Sequence, residues 1–443
     1  MAEQKTFNRW LVVVGAMLIQ VSLGAVYIYS VFKPALSVKF PSWSPTDLAL
    51  PSQLILAFFA IGVIFAGKIQ DKIGPRIVAS VGGAMLGIGL IIASFASDLM
   101  MFTIAFSVIG GLGIGAAYVC PIATCVKWFP DKRGMITGLA VAGFGAGALV
   151  FTPIAKAFIA SSGIMATFMY LGIIFLVAVV LGAQLMVVPP AGYKPAGWNP
   201  PAPAPGAGAA KAAGGDFTTI EMLKTPQFYF LWITYFAGCM AGLMIIMNIT
   251  NMWQSPSMIE LAKTMPTITK DAFKTIADQG AMAVMIVAIL NAAGRLVWGQ
   301  VSDVIGRKMT LIIIFAYAGV IMLLLNTFTS YMMFLVGVCS VGFCFGGFLG
   351  LYPAVTADYF GTKNVGANYG LMFAAYGAGG LVGPWLAPKL MTIVGQIPYE
   401  ALDKGAVIIK QFAAGNYSTS FMISGVMCLA SIGIVWMLKP PTK

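Results

Sequence analysis

The sequence predicts an all-α membrane protein with twelve transmembrane helices. Hydrophobic residues make up 59% of the 443 residues and charged residues only 9%, whereas a soluble protein carries about 25% charged residues. The apolar residues fall in runs that reach the roughly 20 residues needed to cross a bilayer, and a lipid-exposed backbone must satisfy its own hydrogen bonds. The predicted spans are residues 10–32, 48–67, 77–97, 99–124, 134–158, 165–188, 229–252, 279–301, 309–328, 331–356, 366–391 and 417–438.

The segment between the sixth and seventh spans, residues 191–215, is rich in Pro, Gly and Ala. This composition is typical of a flexible linker. The predicted organisation is therefore a six-helix bundle over residues 1–190, a cytoplasmic linker over 191–228 and a second six-helix bundle over 229–443.

The basic residues indicate how the chain is oriented. If both termini are cytoplasmic, sixteen of the 26 Lys and Arg residues lie inside, nine lie outside, and Arg295 lies within a span. The excess inside predicts cytoplasmic termini. The net charge of +12 does not indicate nucleic-acid binding, because the basic residues are scattered through short loops and form no patch.

Few side chains are available for enzyme chemistry. The chain has no His, and its six Cys all fall in apolar stretches without a CxxC pair. No nucleophile–base pair, metal cluster or pair of carboxylates can be assembled from such a set. We therefore expect no metal site, no cofactor and no enzyme activity.

Arg295 is the one charged residue of the apolar stretch 281–301. A charge at the centre of a membrane helix costs about 2.5–3.5 kcal/mol on insertion scales, so its presence there needs a reason. The favoured interpretation is that the guanidinium binds an anion. The alternative is a structural Arg that is bonded to backbone carbonyls or extends to the membrane interface. No Asp, Glu or His lies mid-span, so no side chain is an evident proton carrier.

The two halves repeat at an offset of 232 residues. The segment Gly67-Lys-Ile-Gln-Asp71-Lys-Ile-Gly74 returns as Gly299-Gln-Val-Ser-Asp303-Val-Ile-Gly306, and four further matches at the same offset occur in the same order. The halves are therefore predicted to be related by pseudo-symmetry about an axis normal to the membrane. This arrangement places a substrate site between the halves, near the midplane.

The segment Gly67-x-x-x-Asp71-Lys72-x-Gly74-x-Arg76 resembles the loop signature of the major facilitator superfamily. A carboxylate there can cap or pair with the ends of neighbouring helices and hold one conformation. We predict a gating role for the residues of this motif and of its second copy, which are Asp71, Lys72, Arg76, Asp303 and Arg307.

A narrower resemblance extends over nearly the whole chain. Trp128-Phe-Pro-Asp-Lys-Arg-Gly134, Glu221-Met-Leu-Lys-Thr-Pro-Gln-Phe228 and Asn368-Tyr-Gly370 resemble the oxalate–formate antiporter family, which includes bacterial carriers of lactate and pyruvate. The resemblance implies a transporter with the major facilitator superfamily fold in the cytoplasmic (inner) membrane of a bacterium or archaeon. It also implies a lipid bilayer as its surroundings and function as a monomer.

The resemblance also implies a substrate site. The family's carboxylate-binding arginine falls on Arg295, and Asn291, four residues earlier, shares its helix face. Cavity aromatics of the family fall on Tyr27, Tyr118, Phe144, Phe345 and Phe373.

Position 376 departs from the oxalate carrier of the family, which has a lysine there, whereas this chain has Tyr376. A dianion would leave one charge without a partner, which costs several kcal/mol outside water. The sequence therefore predicts a small monocarboxylate as substrate, such as L-lactate, pyruvate or formate. Tyr376 and Tyr118 are the expected hydrogen-bond donors to it. The alternatives are an oxalate:formate antiporter and, more remotely, an anion sensor without transport.

The coupling of transport stays open at this point. In proton symport, the substrate brings the proton or Asp278 or Asp358 relays it, whereas in anion exchange no proton is needed.

Overall fold

The computed structural model describes residues 7–190, 192–195, 215–403 and 406–441. Most of the predicted linker therefore lies outside the described residues. The elements in chain order are α1 (Arg9–Leu23), a 3-10 segment (Gly24–Ile28), α2 (Tyr29–Lys39), α3 (Pro45–Ile73), α4 (Pro75–Ala93), α5 (Leu99–Thr103), a π-helical segment (Ile104–Ile109), α6 (Gly110–Trp128), α7 (Arg133–Gln184), α8 (Thr219–Leu223), α9 (Pro226–Ala262), α10 (Lys270–Ile305), α11 (Arg307–Leu324), a 3-10 segment (Leu325–Thr327), α12 (Tyr331–Phe360), α13 (Val365–Lys389), β1 (Thr392–Asp403), β2 (Ala406–Asn416) and α14 (Ser418–Met437).

The prediction of twelve spans is confirmed. The described residues contain 11 stretches that are helical, long and apolar enough to cross a membrane, and one of them is α7 with 52 residues. At 1.5 Å per residue this stretch would measure about 78 Å, far beyond a hydrocarbon core of about 30 Å. The chain turns within it at Gly163, whose φ of 79° is open to glycine and strained for other residues. The turn separates the predicted spans 134–158 and 165–188.

The loop after α13 differs from the all-helical prediction. Its two strands, β1 and β2, form an antiparallel hairpin in which Thr392 lies opposite Asn416. The hairpin is attached to the segment before α10. The backbone N–H of Ile268 donates to the Pro398 carbonyl at 2.9 Å, and Ile268 accepts from Glu400 at 2.9 Å. The sequence predicted no strand here, because the residues between the last two spans are polar enough to form a simple connection in water.

The two ends of the helix bundle carry different features. We call the end with Asp71 and Asp303 the latch end and the opposite end, with β1 and β2, the hairpin end. Helix α1 begins at the latch end, where Arg9 forms an ion pair of 2.7 Å with Asp131.

Glycines bring the two halves into backbone contact towards the latch end. A Cβ added at Gly67 of α3 would lie 2.1 Å from the Gly366 carbonyl oxygen of α13, and one added at Gly299 of α10 would lie 2.3 Å from the Gly134 carbonyl oxygen of α7. These two contacts are related by the 232-residue offset. The internal repeat is therefore present in the structure as a pair of equivalent contacts between the halves.

We predict that Gly67→Ala destabilises the protein. The added methyl group overlaps the backbone of α13, and such overpacking costs about 1–3 kcal/mol, more than the gain of about 1 kcal/mol in helix propensity. Gly433→Ala in α14 is the matched control, because nothing lies within 4 Å of its added Cβ. The midpoint of thermal unfolding of the purified protein should fall by several degrees for Gly67→Ala and stay level or rise for Gly433→Ala. An unchanged midpoint in Gly67→Ala would contradict the close contact.

Candidate anion-binding cavity

A small cavity lies between the two halves, near the middle of the bundle. The empty space within it is about 180 Å³, which includes space open to solvent. Four lining residues come from each half: Tyr27, Phe59, Tyr118 and Phe144 from the first, and Arg295, Leu349, Phe373 and Tyr376 from the second. Arg295 and Tyr118 each lie ten residues from the latch-end terminus of their helix, or about 15 Å by helical rise. The cavity therefore lies near half the depth of a bilayer core.

Arg295 supplies the charge of this cavity. Its side chain is buried, with 2% exposure. The Nε–H donates to the Asn291 side-chain oxygen at 3.0 Å, one helical turn away, and Nη1 donates to the Val141 carbonyl of α7 at 2.5 Å. Among the described residues, no carboxylate forms a salt bridge with Arg295, and Nη2 makes no hydrogen bond. The guanidinium is thus held in orientation by neutral groups, and its charge stays uncompensated by the protein.

Glycine on α7 makes room for the guanidinium. A Cβ at Gly145 would lie 3.4 Å from both Cζ and Nη1 of Arg295, in van der Waals contact, so a side chain larger than that of alanine would press on the charged group. The carbonyl that accepts from Nη1 belongs to Val141, one turn earlier on the same helix. The Arg295 guanidinium, which belongs to the second half, therefore packs directly against the backbone of α7 in the first half.

Aromatic rings form most of the cavity wall. Phe144 contacts Tyr27, Phe59 and Tyr118 at ring-centroid distances of 5.4, 5.6 and 5.2 Å, and Phe373 stacks on Tyr376 at 4.7 Å. The hydroxyls of Tyr27 and Tyr376 are 3.0 Å apart and form a hydrogen bond between the halves. Tyr27 belongs to the 3-10 segment at the far end of α1, so this bond lies on the hairpin side of the cavity. The wall is apolar, with hydroxyls at a few positions.

The predicted substrate-site residues are brought together with one exception. Six of them line the cavity, namely Tyr27, Tyr118, Phe144, Arg295, Phe373 and Tyr376. Asn291 does not line the cavity but accepts a hydrogen bond from Arg295. Phe345 lies elsewhere, because its ring packs against Gly242 of α9. Leu349, one turn further along α12, takes the place expected for Phe345.

Sequence reasoning missed Phe59, Leu349 and Gly145. Phe59 and Leu349 carry no chemistry that distinguishes them from other apolar residues of a span. Gly145 matches Gly377 at the 232-residue offset, and this match does not indicate contact with Arg295. Phe59 could have been found from that repeat, because it is the counterpart of Asn291 at the 232-residue offset.

Asp71 and Asp303 close the latch end by capping helices of the opposite half. Asp303 accepts from the backbone N–H groups of Gly134 and Met135 at 2.9 and 2.8 Å, at the beginning of α7. Asp71 accepts from Ala367 at 2.8 Å, at the beginning of α13. Neither helix has a side-chain cap from its own N-cap residue. Each carboxylate thus supplies hydrogen-bond acceptors and a favourable charge to a helix N-terminus of the other half.

Further ion pairs at the latch end follow no symmetry. Asp358 of α12 accepts from Arg133 at 2.5 Å and from Arg307 at 2.9 Å, and Arg307 also lies 2.7 Å from Asp303. Arg133 belongs to the first half, so its pair with Asp358 joins the halves. Lys72 and Arg76 are exposed and form no ion pair within the described part of the chain. Beneath these pairs, small apolar side chains of both halves pack together, namely Ala123, Val126, Ala357 and Val365.

A comparison with protein families bears on this arrangement. The family model described as Major Facilitator Superfamily matches residues 7–256 and 256–443. The chain belongs to the Major Facilitator Superfamily.

Individual relatives support a narrower placement in this superfamily. The chain is 30% identical to the uncharacterized MFS-type transporter YhjX of Escherichia coli, over 84% of this chain and 86% of the relative. It is 31% identical to the oxalate:formate antiporter of Oxalobacter formigenes, over 88% and 86%. It is 24% identical to apicoplast pyruvate carrier 1 of Toxoplasma gondii, over 83% and 73%. The resemblance to the oxalate–formate antiporter family is thereby confirmed.

A solved structure confirms the fold. The proton:xylose symporter XylE, bound to 6-bromo-6-deoxy-D-glucose, superposes with a TM-score of 0.64 at 14% identity, covering 98% of this chain and 96% of that chain. The chain is thus a membrane transporter of the Major Facilitator Superfamily and not an enzyme.

We predict that Asp303→Asn loosens the latch end of this superfamily member. The substitution keeps the shape, but the amide has one acceptor oxygen where the carboxylate has two. One of the two backbone N–H groups therefore loses its acceptor, and the remaining bond loses its charge, which makes it about half as strong. A loss of about 1.4 kcal/mol would raise the open fraction about tenfold. The measurement is the rate of maleimide labelling of Ala357→Cys, which lies beneath the latch, in a chain whose six cysteines are replaced by alanine.

Asp98→Asn is the control for this experiment. Asp98 also caps a helix, accepting from the Met101 N–H at 2.9 Å, but it caps a helix of its own half. Labelling of Ala357→Cys should match the parent rate in Asp98→Asn and exceed it in Asp303→Asn. Equal rates in the two variants would refute a role for Asp303 in holding the halves together.

Proposed function

We propose that this transporter carries small monocarboxylates, such as L-lactate, pyruvate or formate, across the cytoplasmic membrane of a bacterium or archaeon by alternating access. The observation that carries the proposal is a buried guanidinium that faces a small cavity between the halves without a carboxylate partner. An anion that enters the cavity would supply the missing charge. Because one chain builds the whole cavity, the monomer is the proposed functional unit.

The charge of the cavity supports a monoanion. Arg295 is the one charged side chain among the lining residues, and position 376 carries a tyrosine. A single guanidinium can bind one carboxylate through two parallel hydrogen bonds, whereas a second carboxylate would face aromatic rings. The hydroxyls of Tyr118, Tyr27 and Tyr376 are placed to bond a hydroxyl, keto or carboxylate oxygen of the same small acid.

The caps that Asp71 and Asp303 form at the latch end, which we call the latch, support alternating access. With the predicted orientation, the latch end faces the cytoplasm, and the capping by Asp71 and Asp303 keeps that side closed in this structure. Release to the cytoplasm requires both carboxylates to leave the helix N-termini of the opposite half. Binding of an anion at Arg295 favours the change, since it neutralises a charge that opposes full closure of the empty carrier.

The positions of Asp278 and Asp358 indicate how transport is coupled to protons or to a second anion. Asp278 is paired with Lys274 at the exposed start of α10, and Asp358 is paired with Arg133 and Arg307 at the latch end. Neither lines the cavity. These positions support coupling through the transported acid itself, which brings its own proton, or through a counter-anion.

The second candidate function is oxalate:formate exchange. It is favoured by the 31% identity to the oxalate:formate antiporter, and it is disfavoured by the missing second cation in the cavity. Competition between substrates separates the two functions.

We predict saturable uptake of labelled L-lactate by proteoliposomes, and a loss of at least tenfold in Arg295→Lys. Lysine keeps the charge but cannot form two parallel hydrogen bonds to a carboxylate. Arg9→Lys is the control, because Arg9 also donates two parallel hydrogen bonds to a carboxylate, that of Asp131 at 2.7 and 3.1 Å, but lies at the latch end outside the cavity. Uptake is measured with and without a pH gradient and in the presence of pyruvate, formate or oxalate. Near-normal uptake by Arg295→Lys would refute the assignment of the site, and competition by oxalate alone would favour the antiporter.

We predict that Tyr376→Lys shifts the preference of the carrier from monocarboxylates towards oxalate. The new ammonium would partner a second carboxylate at the wall opposite Arg295. Tyr376→Phe is the control, since it removes the hydroxyl and the bond to Tyr27 without adding charge. The ratio of half-inhibitory concentrations of oxalate and L-lactate should fall about tenfold or more in Tyr376→Lys relative to Tyr376→Phe. An unchanged ratio would contradict the proposal that charge count sets specificity.

A further inference from the structure

Two buried tyrosine hydroxyls close to the cavity have no well-formed hydrogen bond in the described part of the chain. Tyr235 of α9 is fully buried and Tyr369 of α13 is 1% exposed, and the hydroxyl of each is without a well-aligned partner. The Tyr369 hydroxyl lies beside those of Tyr235 and Tyr118, and Arg295 lies within electrostatic range of it. Tyr118 itself lines the cavity. These two hydroxyls thus adjoin the proposed substrate site.

Tyr369 lies between the cavity and the latch end, whereas Tyr235 follows the first residue of α9, Pro226, by nine positions, or about 14 Å, close to the depth of Arg295. Tyr369 follows the first residue of α13, Val365, by four positions, or about 6 Å, whereas Phe373 and Tyr376 follow it by about 12 and 16 Å. The ring of Tyr369 contacts that of Phe373, which forms part of the cavity wall, at 5.8 Å. Ala367, which Asp71 caps, lies two residues before Tyr369. Movement of this helix end away from Asp71 would therefore move Tyr369 as well.

The neighbouring Tyr352 has a buried hydroxyl that does form a well-aligned hydrogen bond. Tyr352 stacks on Tyr235 at 4.0 Å, is equally buried, and donates to the Thr234 hydroxyl at 2.7 Å. A buried hydroxyl without an aligned partner destabilises the fold, and phenylalanine would fill the same space without that cost. The hydroxyls of Tyr235 and Tyr369 lie beside each other without an aligned bond of the kind that Tyr352 makes. Such hydroxyls suit a ligand that is present during part of the transport cycle.

We propose that Tyr369 and Tyr235 form an inner subsite that binds the carboxylate of the substrate as it passes from Arg295 towards the latch end. Two phenolic O–H groups can donate to the two oxygens of one carboxylate, and bonds to an ionised acceptor are stronger than bonds between neutral groups. The subsite rests on the proposed function, since it requires a carboxylate that moves through the cavity. The carboxylate would then have two binding positions along its path, the first at Arg295 and the second at the neutral hydroxyls of Tyr369 and Tyr235.

The test compares transport from the two faces of the membrane. Right-side-out and inside-out vesicles from cells that produce the full chain present the hairpin end and the latch end, respectively, to labelled L-lactate. The accessibility of Lys72→Cys to a membrane-impermeant reagent verifies the orientation, since Lys72 is exposed at the latch end. The variants are Tyr369→Phe, Tyr235→Phe and the double variant.

Tyr29→Phe is the matched control. Tyr29 is also buried, and its hydroxyl likewise has no partner among the described residues, but it lies away from the cavity beside Phe32 and Phe106. The half-saturating concentration at the latch face should rise about tenfold in Tyr369→Phe, as expected for the loss of a hydrogen bond to a charged group. The value at the hairpin face should stay within twofold. Tyr29→Phe should change neither value.

Three outcomes would overturn the subsite. The first is an unchanged latch-face value in both single variants and the double variant, and the second is an equal rise at both faces, which indicates a structural role. The third is an equal effect in Tyr29→Phe. If the unmodified chain shows no saturable L-lactate flux from either face, the proposed function fails instead, so the two failures are distinguishable.

Discussion

The cavity and the contacts around it depend on one buried positive charge, that of Arg295. The charge lies between the two halves near the middle of the bundle, where the neighbouring contacts are neutral. Arg295 is buried, is oriented by Asn291, and donates to a carbonyl of the opposite half. These neutral partners orient the guanidinium but do not compensate its charge. A buried charge without a counter-charge is costly, and that cost gives an entering anion a reason to bind at this place. The same cost makes the closure of the halves sensitive to whether the cavity is filled.

The internal repeat provides a symmetric frame for an asymmetric site. The backbone carbonyl of Arg295 lies against Gly138, and that of Val63, its counterpart at the 232-residue offset, lies against Gly370. The backbone contacts are thus equivalent in the two halves. The side chains are not, because Phe59 and Val63 stand where the second half has Asn291 and Arg295. The proposed substrate site therefore differs from the scaffold around it, which is duplicated in its backbone contacts but not in its side chains.

The latch combines a symmetric and an asymmetric part in the same way. Asp71 and Asp303 cap equivalent positions of α13 and α7, where the helix N-termini have no cap of their own. Asp358 adds a bond between the halves through Arg133 that has no counterpart. Because the caps are supplied by the opposite half, opening this end leaves both helix N-termini without their acceptors. The latch therefore resists opening until other interactions compensate.

The sequence by itself determined the number of spans, the repeat, the loop motifs and Arg295 as the charged residue of the site. These features follow from local composition, and a lipid environment admits few structures for an apolar run. The cavity wall was predicted less completely. Tyr27, Tyr118 and Tyr376 came from the family resemblance, and Phe345 was misplaced because it packs against Gly242 while Leu349 faces the cavity.

Only the tertiary structure decided which groups meet across the halves. The donation from Arg295 to Val141, the room left by Gly145 and the capping of Ala367 by Asp71 each join residues more than a hundred positions apart. The hairpin of β1 and β2 is a second such case, since it is attached through Ile268. Contacts of this kind depend on the relative rotation and depth of packed helices, which the period of an apolar run does not specify.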